Sequence, residues 1–223
     1  SDELDEIKKE MKKDKIKIGD GFSGSGVVSR LFKTKENELY ANDLAGYSKT
    51  LNACYLSSPT KSELQKIKEY IAQANKKADD EMSGKIHGGW ISKHWSPESE
   101  EIKENERVFY TSKNGKRIDI MRDYIETIPE KYRPYLLGPL LVECSIHNNT
   151  NGQFSAYYKD KDGKKGEYGG KTKTDVKRIT QDIRIPYPIL DPSKCKVNLS
   201  QNSELRSQNS YLKKKQKQEI SPC

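Results

Sequence analysis

The stretch Asp20-Gly21-Phe22-Ser23-Gly24-Ser25-Gly26 decides the fold of this 223-residue chain. It follows a short alternating strand at residues 15–20, and it precedes an apolar segment that begins a helix at Val27. Glycines between a strand and a helix let the backbone approach a ligand closely, and the helix N-terminus offers free N–H groups. The stretch therefore predicts a strand, a ligand-binding turn and a helix.

The segments around this turn extend the pattern. A second strand is predicted at residues 38–41, with helices at about 27–33 and 45–56. The order strand, glycine turn, helix, strand, helix is the beginning of a doubly wound parallel sheet. A helix is predicted at residues 3–13, and a strand near 195–199 returns the chain to the sheet. The predicted fold class is α/β, with a partial Rossmann-like sheet.

A mostly helical insert is predicted at residues 58–147. Apolar residues recur at helical spacing through about 60–80 and again through 117–128 and 132–147. The charged segment 98–106 is also predicted to be helical. The insert therefore separates the first two strands of the sheet from the third.

The remaining segments are irregular. Asn114-Gly115 predicts a turn, and residues 154–158 predict a strand or an extended segment. The sheet-bearing domain is expected to comprise residues 1–57 and 148–202. Residues 203–223 lose the apolar pattern and carry an excess of basic residues, which predicts a disordered basic tail.

Composition limits the kind of protein. The 41 Lys and Arg outnumber the 33 Asp and Glu by 8, and the pI is about 9.1. This excess favours a polyanionic partner such as nucleic acid, although a lysine-rich solvated surface would give the same count. We expect no membrane segment, no secretion signal and no metal site, because apolar runs are short and neither the four Cys nor the three His are spaced as ligands. A cytoplasmic protein with reduced thiols is predicted.

Two carboxylates indicate the class of ligand. Asp20 directly precedes the turn, where an acid suits a cationic ammonium better than a phosphate. Asp43 follows the second strand, where an acid accepts hydrogen bonds from ribose hydroxyls. The pair fits an aminoacyl nucleoside such as S-adenosylmethionine better than NAD. The alternative is a glycine turn that only packs the strand on the helix.

Four segments in order resemble the Dam-like adenine-specific DNA methyltransferases. The glycine stretch is similar to their Phe-x-Gly-x-Gly cofactor motif, and an acidic motif follows it. The other three segments are Asn42-Asp43 with Tyr47-Ser48, residues 107–122 with Arg107-Val108-Phe109-Tyr110-Thr111, and Asn149-Thr150-Asn151-Gly152-x-Phe154-x-Ala156. The resemblance covers roughly residues 3–200 and implies a methyltransferase sheet.

The resemblance also implies functional residues. Phe22, Gly24 and Gly26 would shape the methionine pocket, Asp20 would face the cofactor ammonium, and Asp43 would face the ribose. Together with Ser23 these are the expected residues for S-adenosylmethionine. The insert would contact DNA, and its candidate phosphate contacts are Arg107, Lys113, Lys116 and Arg117. The aromatic pair Trp90 and Trp95 would either stack on a base or fill a small core.

The sequence departs from the family at its catalytic motif. Members of the family hold the target amine with the tetrapeptide Asp/Asn-Pro-Pro-Tyr/Phe, and no such tetrapeptide occurs in this sequence. The most similar tetrapeptide is Asp191-Pro192-Ser193-Lys194. No catalytic residue is therefore assigned. We expect a chain truncated before that motif, inactive alone, with a second polypeptide as a candidate source of the missing segment.

Three functions follow from these observations. The first is adenine-specific DNA methylation in a restriction-modification system, with S-adenosylmethionine as the methyl donor. The second is a non-catalytic nucleic-acid-binding fragment or remnant. The third is a methyltransferase acting on RNA or a small molecule, because helical content and basic charge do not separate DNA from RNA.

Overall fold

The computed structural model describes residues 2–82, 89–170 and 172–201. The predicted disordered tail, 203–223, lies outside the described residues. The chain divides into two compact units, one formed by Ser1–Thr60 with Pro188–Cys223 and the other by Lys61–Tyr187. Residues 148–187 belong to the same unit as the helices.

The first unit carries the sheet. Its described residues contain three parallel strands in the order β1 (Lys17–Asp20), β2 (Glu38–Asn42) and β3 (Lys196–Ser200). The helices are α1 (Asp2–Met11), α2 (Val27–Lys35) and α3 (Gly46–Tyr55). Each element coincides with its sequence-based prediction to within two or three residues. A parallel sheet with crossover helices is therefore present, in agreement with the α/β prediction.

The central strand, β2, is apolar along most of its length, and its first residue, Glu38, is charged. Leu39, Ala41 and Leu56 are buried, and Ile18 and Val197 pack against them. In the register of the sheet, Lys17 and Lys196 flank Glu38 from either side. Their ammonium groups lie 2.8 Å and 3.1 Å from the Glu38 carboxylate. These ion pairs hold the pKa of Glu38 down at about 2.

The second unit is helical. Its described residues contain α4 (Lys61–Glu81), α5 (Trp90–His94), α6 (Ser112–Thr127), α7 (Pro134–Ile146) and α8 (Val176–Thr180), with a 3-10 turn at Glu130–Tyr132. Its core includes Ile67, Ile71, Met121, Ile125, Leu136 and Ile183. This apolar core draws on α4, α6, α7 and the segment after α8, so the unit buries its own hydrophobic surface.

Two asparagine side chains, one buried and one half-buried, hydrogen-bond the segment after α8 to the helices. The Asn114 amide donates to the carbonyl oxygens of Ile179 and Gln181, and its oxygen accepts from the Ile183 N–H at 3.0 Å. The Asn75 amide exchanges two hydrogen bonds with the Ile185 backbone. These amides replace the backbone partners that a sheet would provide.

Two local predictions in this unit are wrong. Residues 98–106 form no helix, because the Glu106 carboxylate accepts the backbone N–H groups of Glu98 and Lys103 and holds the segment in a loop. Asn114 and Gly115 lie inside α6 rather than in a turn. The Thr111 hydroxyl caps α6 by accepting the Asn114 N–H at 3.0 Å. Residues 154–158 are irregular. The next residue, Lys159, forms an isolated antiparallel bridge with Gly166.

Candidate functional site

The turn between β1 and α2 is built on left-handed glycines. Gly24 has φ +52° and Gly26 has φ +76°, which glycine adopts more readily than residues with a Cβ. The Ser23 N–H donates to the Asn42 carbonyl at 2.9 Å, and the Gly26 N–H donates to the Ser23 carbonyl at 2.7 Å. The turn is therefore closed on itself and tied to the end of β2.

Asp43 connects the two strand ends. Its Oδ2 accepts the Gly24 N–H at 2.8 Å, and its Oδ1 accepts the Ala45 N–H at 2.9 Å. The backbone N–H groups of Ala45 and Gly24 hold the pKa of Asp43 below its usual range. The Asp43 N–H lies 3.4 Å from the Ser200 carbonyl oxygen at the end of β3. The carboxyl ends of all three described strands thus converge beside this carboxylate.

The other expected cofactor residues lie around the same turn. Asp20 is half-buried, and its carboxylate accepts the Ser29 hydroxyl at 2.6 Å. Ser23 is buried, and its hydroxyl donates to the Asn42 carbonyl. Phe22 projects outward with 89% of its surface exposed. Asp43 and the backbone of Gly24 are therefore joined directly, whereas Phe22 stands apart from them.

A small cleft lies at the carboxyl ends of β2 and β3. Its volume is about 130 Å³, and its lining includes Asp43, Lys49, Asn52, Ser200 and Gln201. Small-molecule sites usually enclose roughly 300–1,000 Å³. The cleft is thus large enough for only a part of a nucleoside cofactor, and Asp43 places a carboxylate in it.

Two residues behind the turn were missed by sequence reasoning. Ser48 and Asn52 lie one helical turn apart on α3 and are buried, with 0% and 4% of their surfaces exposed. The Ser48 hydroxyl donates to the Gly24 carbonyl at 2.6 Å, and the Asn52 amide donates to Ser23 Oγ at 2.7 Å. Small polar residues at i and i+4 on the packed face of a helix were the available signal.

The helical unit holds a larger cleft of about 810 Å³. Basic or imidazole side chains from Lys93, His94, Arg107 and Lys116 line it together with Glu98 and Glu106. Lys103 pairs with Glu98 at 3.1 Å, and two backbone N–H groups bind the Glu106 carboxylate. Because both acids have partners of their own, Arg107 and Lys116 can face an external anion.

The two other expected phosphate contacts, Arg117 and Lys113, bind partners within the protein itself. Arg117 is 1% exposed, its Nε donates to the Ile183 carbonyl at 2.9 Å, and its guanidinium pairs with Asp79. Lys113 is exposed but pairs with Asp182 at 2.6 Å. Arg117 is therefore a packing residue, which removes it from the residues that we propose for phosphate.

Aromatic side chains accompany the basic cleft. Trp95 is partly buried and packs against the core, with its ring centroid 4.7 Å from that of Phe109, whereas Trp90 is 60% exposed. The Trp90 ring lies 5.3 Å from the His94 ring. Asp119 fixes the beginning of α5, because its carboxylate accepts the N–H groups of Ile91 and Ser92 at 2.9 Å and 2.8 Å. One tryptophan is thus structural and the other is presented to solvent.

Within residues 2–82, 89–170 and 172–201, no group of three or more His, Cys, Asp or Glu side chains is arranged to hold a metal ion. Over the same residues, no helix is both long enough and apolar enough to cross a bilayer.

The parallel sheet, the glycine turn and the acid at the next strand end define a nucleotide-type binding unit of the α/β class. A family comparison makes this specific. The model of the D12 class N6 adenine-specific DNA methyltransferases matches residues 1–174. The chain therefore belongs to this family. Among solved structures, none matches it.

Three curated relatives are similar to the chain. The type II methyltransferase M.CviAII of Paramecium bursaria Chlorella virus 1 is 28% identical over 160 residues, which is 70% of this chain and 45% of the relative. M.NlaIII of Neisseria lactamica is 30% identical over 63% of this chain and 40% of the relative. M.FokI of Planomicrobium okeanokoites is 29% identical over 71% of this chain and 25% of the relative. The matched region thus spans less than half of each relative.

Proposed function

We propose that this chain binds S-adenosylmethionine at the glycine turn and takes part in adenine-specific methylation of DNA in a restriction-modification system of the cytoplasm. The observation that carries the proposal is the 2.8 Å hydrogen bond from the Gly24 N–H to Asp43. It joins a glycine turn after one parallel strand to an acid after the next, which is the arrangement that binds adenosine cofactors. Membership of the family supports the choice of cofactor.

The residues fit the nucleoside part of this cofactor. The Asp43 carboxylate accepts the backbone N–H groups of Gly24, Ala45 and Leu44, so it retains a lone pair that can accept a ribose hydroxyl. Asp20 supplies a second carboxylate at the same turn for the cofactor ammonium. When bound, S-adenosylmethionine supplies the methyl group that is transferred. The role of the chain is to hold the ribose and the amino-acid group in fixed positions.

Catalysis requires groups that hold the target adenine, and we infer that they come from another segment. None of the 223 residues forms an Asp-Pro-Pro-Tyr-like motif. The most similar tetrapeptide begins at Asp191. Its backbone carbonyl accepts a hydrogen bond from the Lys33 ammonium, and its carboxylate accepts one from the Ser193 N–H. Its side chain is thus used within its own loop. We expect methyl transfer by the chain alone to be weak or absent.

DNA is the proposed partner of the helical unit. The exposed Trp90 and the basic side chains of Arg107 and Lys116 combine a stacking ring with phosphate-binding groups. The same observation favours the second candidate function, a nucleic-acid-binding protein that does not methylate. The two candidates differ in whether S-adenosylmethionine binds.

Calorimetric titration of S-adenosylmethionine into the purified chain tests the proposal. Three proteins are compared: the parent, Asp43→Ala, and Asp14→Ala as a control at an exposed carboxylate. We expect saturable binding in the parent and in the control, and loss of binding in Asp43→Ala. A parent that melts cooperatively but binds no cofactor would overturn the proposal and favour nucleic-acid binding without methylation.

A further inference from the structure

We infer that Asn52 is a positioning residue for the cofactor turn, and this inference rests on the proposed function. Asn52 lies on α3, behind the turn, and only 4% of its surface is exposed. It lines the small cleft beside Asp43, and it reaches the turn through two serine hydroxyls. Its proposed role is to fix the backbone of residues 23–26 so that the turn is already shaped for the amino-acid group of S-adenosylmethionine.

The hydrogen-bond network has a direction. The Asn52 Nδ2 group has two hydrogens, and it donates to Ser23 Oγ at 2.7 Å and to Ser48 Oγ at 3.2 Å. Each hydroxyl has one hydrogen and therefore donates onward. Ser23 donates to the Asn42 carbonyl at 3.1 Å, and Ser48 donates to the Gly24 carbonyl at 2.6 Å. One amide thus sets the direction of both hydroxyls.

The two accepting carbonyls explain why this network matters for the turn. Gly24 lies within the turn and also donates its N–H to Asp43, so both of its backbone polar groups are bound. Asn42 is the last residue of β2, and its carbonyl also accepts the Ser23 N–H. The network therefore ties the turn to β2 and to α3 at the same time.

The oxygen of the same amide faces Gly26. A Cβ added to Gly26 would overlap Asn52 Oδ1, so the amide or the turn would have to shift. Among the described residues, Asn52 Oδ1 is buried without a hydrogen-bond partner. The amide nitrogen binds the two serine hydroxyls, so the amide oxygen is turned toward Gly26. Here it occupies the space that keeps the Gly26 backbone close to α3.

A comparison of two ligands separates positioning from general stability. S-adenosylmethionine carries the amino-acid group, and 5′-methylthioadenosine lacks it. We expect Asn52→Ala to weaken binding of S-adenosylmethionine about tenfold, a typical effect of losing preorganisation. Binding of 5′-methylthioadenosine should change by less than about threefold, since the Asp43 contacts to the ribose remain. Asn37→Ala, at an exposed residue of the same unit, is the control and should change neither affinity.

The outcomes distinguish the two proposals. If Asn52→Ala lowers the affinity for both ligands equally, or changes neither affinity, the positioning role is overturned while the proposed cofactor site stands. If the folded parent binds neither ligand, the proposed function fails and this inference fails with it. Ser48→Ala is a smaller change for the case in which Asn52→Ala does not fold. Ser48→Ala removes the hydrogen bond to the Gly24 carbonyl. It should also lower the affinity for S-adenosylmethionine more than the affinity for 5′-methylthioadenosine.

A double-mutant cycle tests the contact without any ligand. Gly26→Ala should lower the melting temperature, because alanine is strained at φ +76° and because the new methyl group meets Asn52 Oδ1. In the Asn52→Ala background the same change should cause a smaller drop, since the obstructing oxygen is gone. Equal drops in both backgrounds would mean that Asn52 does not hold the turn.

Discussion

The backbone N–H of Gly24 lies 2.8 Å from the Oδ2 atom of Asp43, and this bond spans the ends of two neighbouring parallel strands. It makes the glycine turn and the acid after β2 a single structural unit. If the Gly24 N–H moved away, Asp43 would lose one of its backbone contacts, while the Ala45 N–H would still hold its Oδ1 atom. For the proposed cofactor site, the shape of the turn and the position of the ribose-binding carboxylate are linked by one contact.

The ionisation of Asp43 predicts how cofactor affinity depends on pH. Because the N–H groups of Ala45 and Gly24 hold its pKa below the usual range, the carboxylate stays charged throughout mildly acidic conditions. We expect the affinity for S-adenosylmethionine to vary by less than about twofold between about pH 5 and pH 7, where the cofactor's ammonium group also stays charged. Titration calorimetry across this range measures it. A steep loss of affinity between about pH 6 and pH 5 would contradict the assignment.

Glu38 predicts a loss of stability in acid. Its pKa is about 2 in the folded chain, against 4.5 ordinarily, because it binds Lys17 and Lys196. Since the folded pKa is the lower one, the stabilisation is complete above pH 4.5 and disappears as the pH falls toward 2. The free energy of unfolding of the parent should exceed that of Glu38→Gln at neutral pH, and the two should converge in acid.

Urea unfolding at several pH values measures this difference. Glu10→Gln is a suitable control, because Glu10 is an exposed residue of α1. The control should follow the parent at every pH. A constant gap between the parent and Glu38→Gln down to pH 2 would show that the ion pairs contribute nothing that depends on ionisation.

Arg117 predicts a stability effect instead of a DNA-binding effect. Its guanidinium binds the Ile183 carbonyl and Asp79 and is 1% exposed. Arg117→Ala should reduce the free energy of unfolding by about 3 kcal/mol, because buried groups lose their partners and a cavity remains. Arg117→Met should cost less, since it refills the volume with an apolar chain. Chemical denaturation would detect both, and equal stability of Arg117→Ala and the parent would refute a packing role.

Arg107 and Lys116 predict the salt dependence of DNA binding. If each neutralises one phosphate, replacing either with alanine should lower the slope of log affinity against log salt concentration by about 1. Lys113→Ala should change the slope less, because Lys113 pairs with Asp182. Fluorescence anisotropy with a random-sequence duplex at several salt concentrations measures the slopes. Identical slopes for Arg107→Ala, Lys116→Ala and the parent would exclude the cleft as the phosphate-binding surface.

The sheet and its turn were predictable because their signals are local. Apolar alternation before Asp20, glycines at 24 and 26, and a helix beginning at Val27 each depend on a few neighbouring residues. The order of elements then follows from the connection rules for parallel strands. The bounds of β2 and α3 agree with the prediction for the same reason.

Features that depend on distant contacts were not predictable. Asn114-Gly115 is a typical turn pair, yet Gly115 packs in α6 against Ser96, where an added Cβ would lie 2.0 Å from the Ser96 hydroxyl oxygen. Arg117 was expected on the surface because arginine usually is, and its burial depends on the carbonyl of Ile183. The contact of Asn52 with the turn could not be predicted from the pattern of apolar residues, because asparagine is polar. In each case the deciding partner is far away in the sequence or is a polar group inside the fold.

The inserted helical unit has a consequence for how the chain is made. Asn42 and Ser200 pair across the sheet although 158 residues separate them. At roughly 5–20 residues per second, the ribosome would synthesise that interval in about 8–30 s. During this time β2 has a neighbour on only one side, whereas residues 61–187 already contain their own core. We therefore expect the helical unit to fold first, and the closing of the sheet to be the slow step of folding.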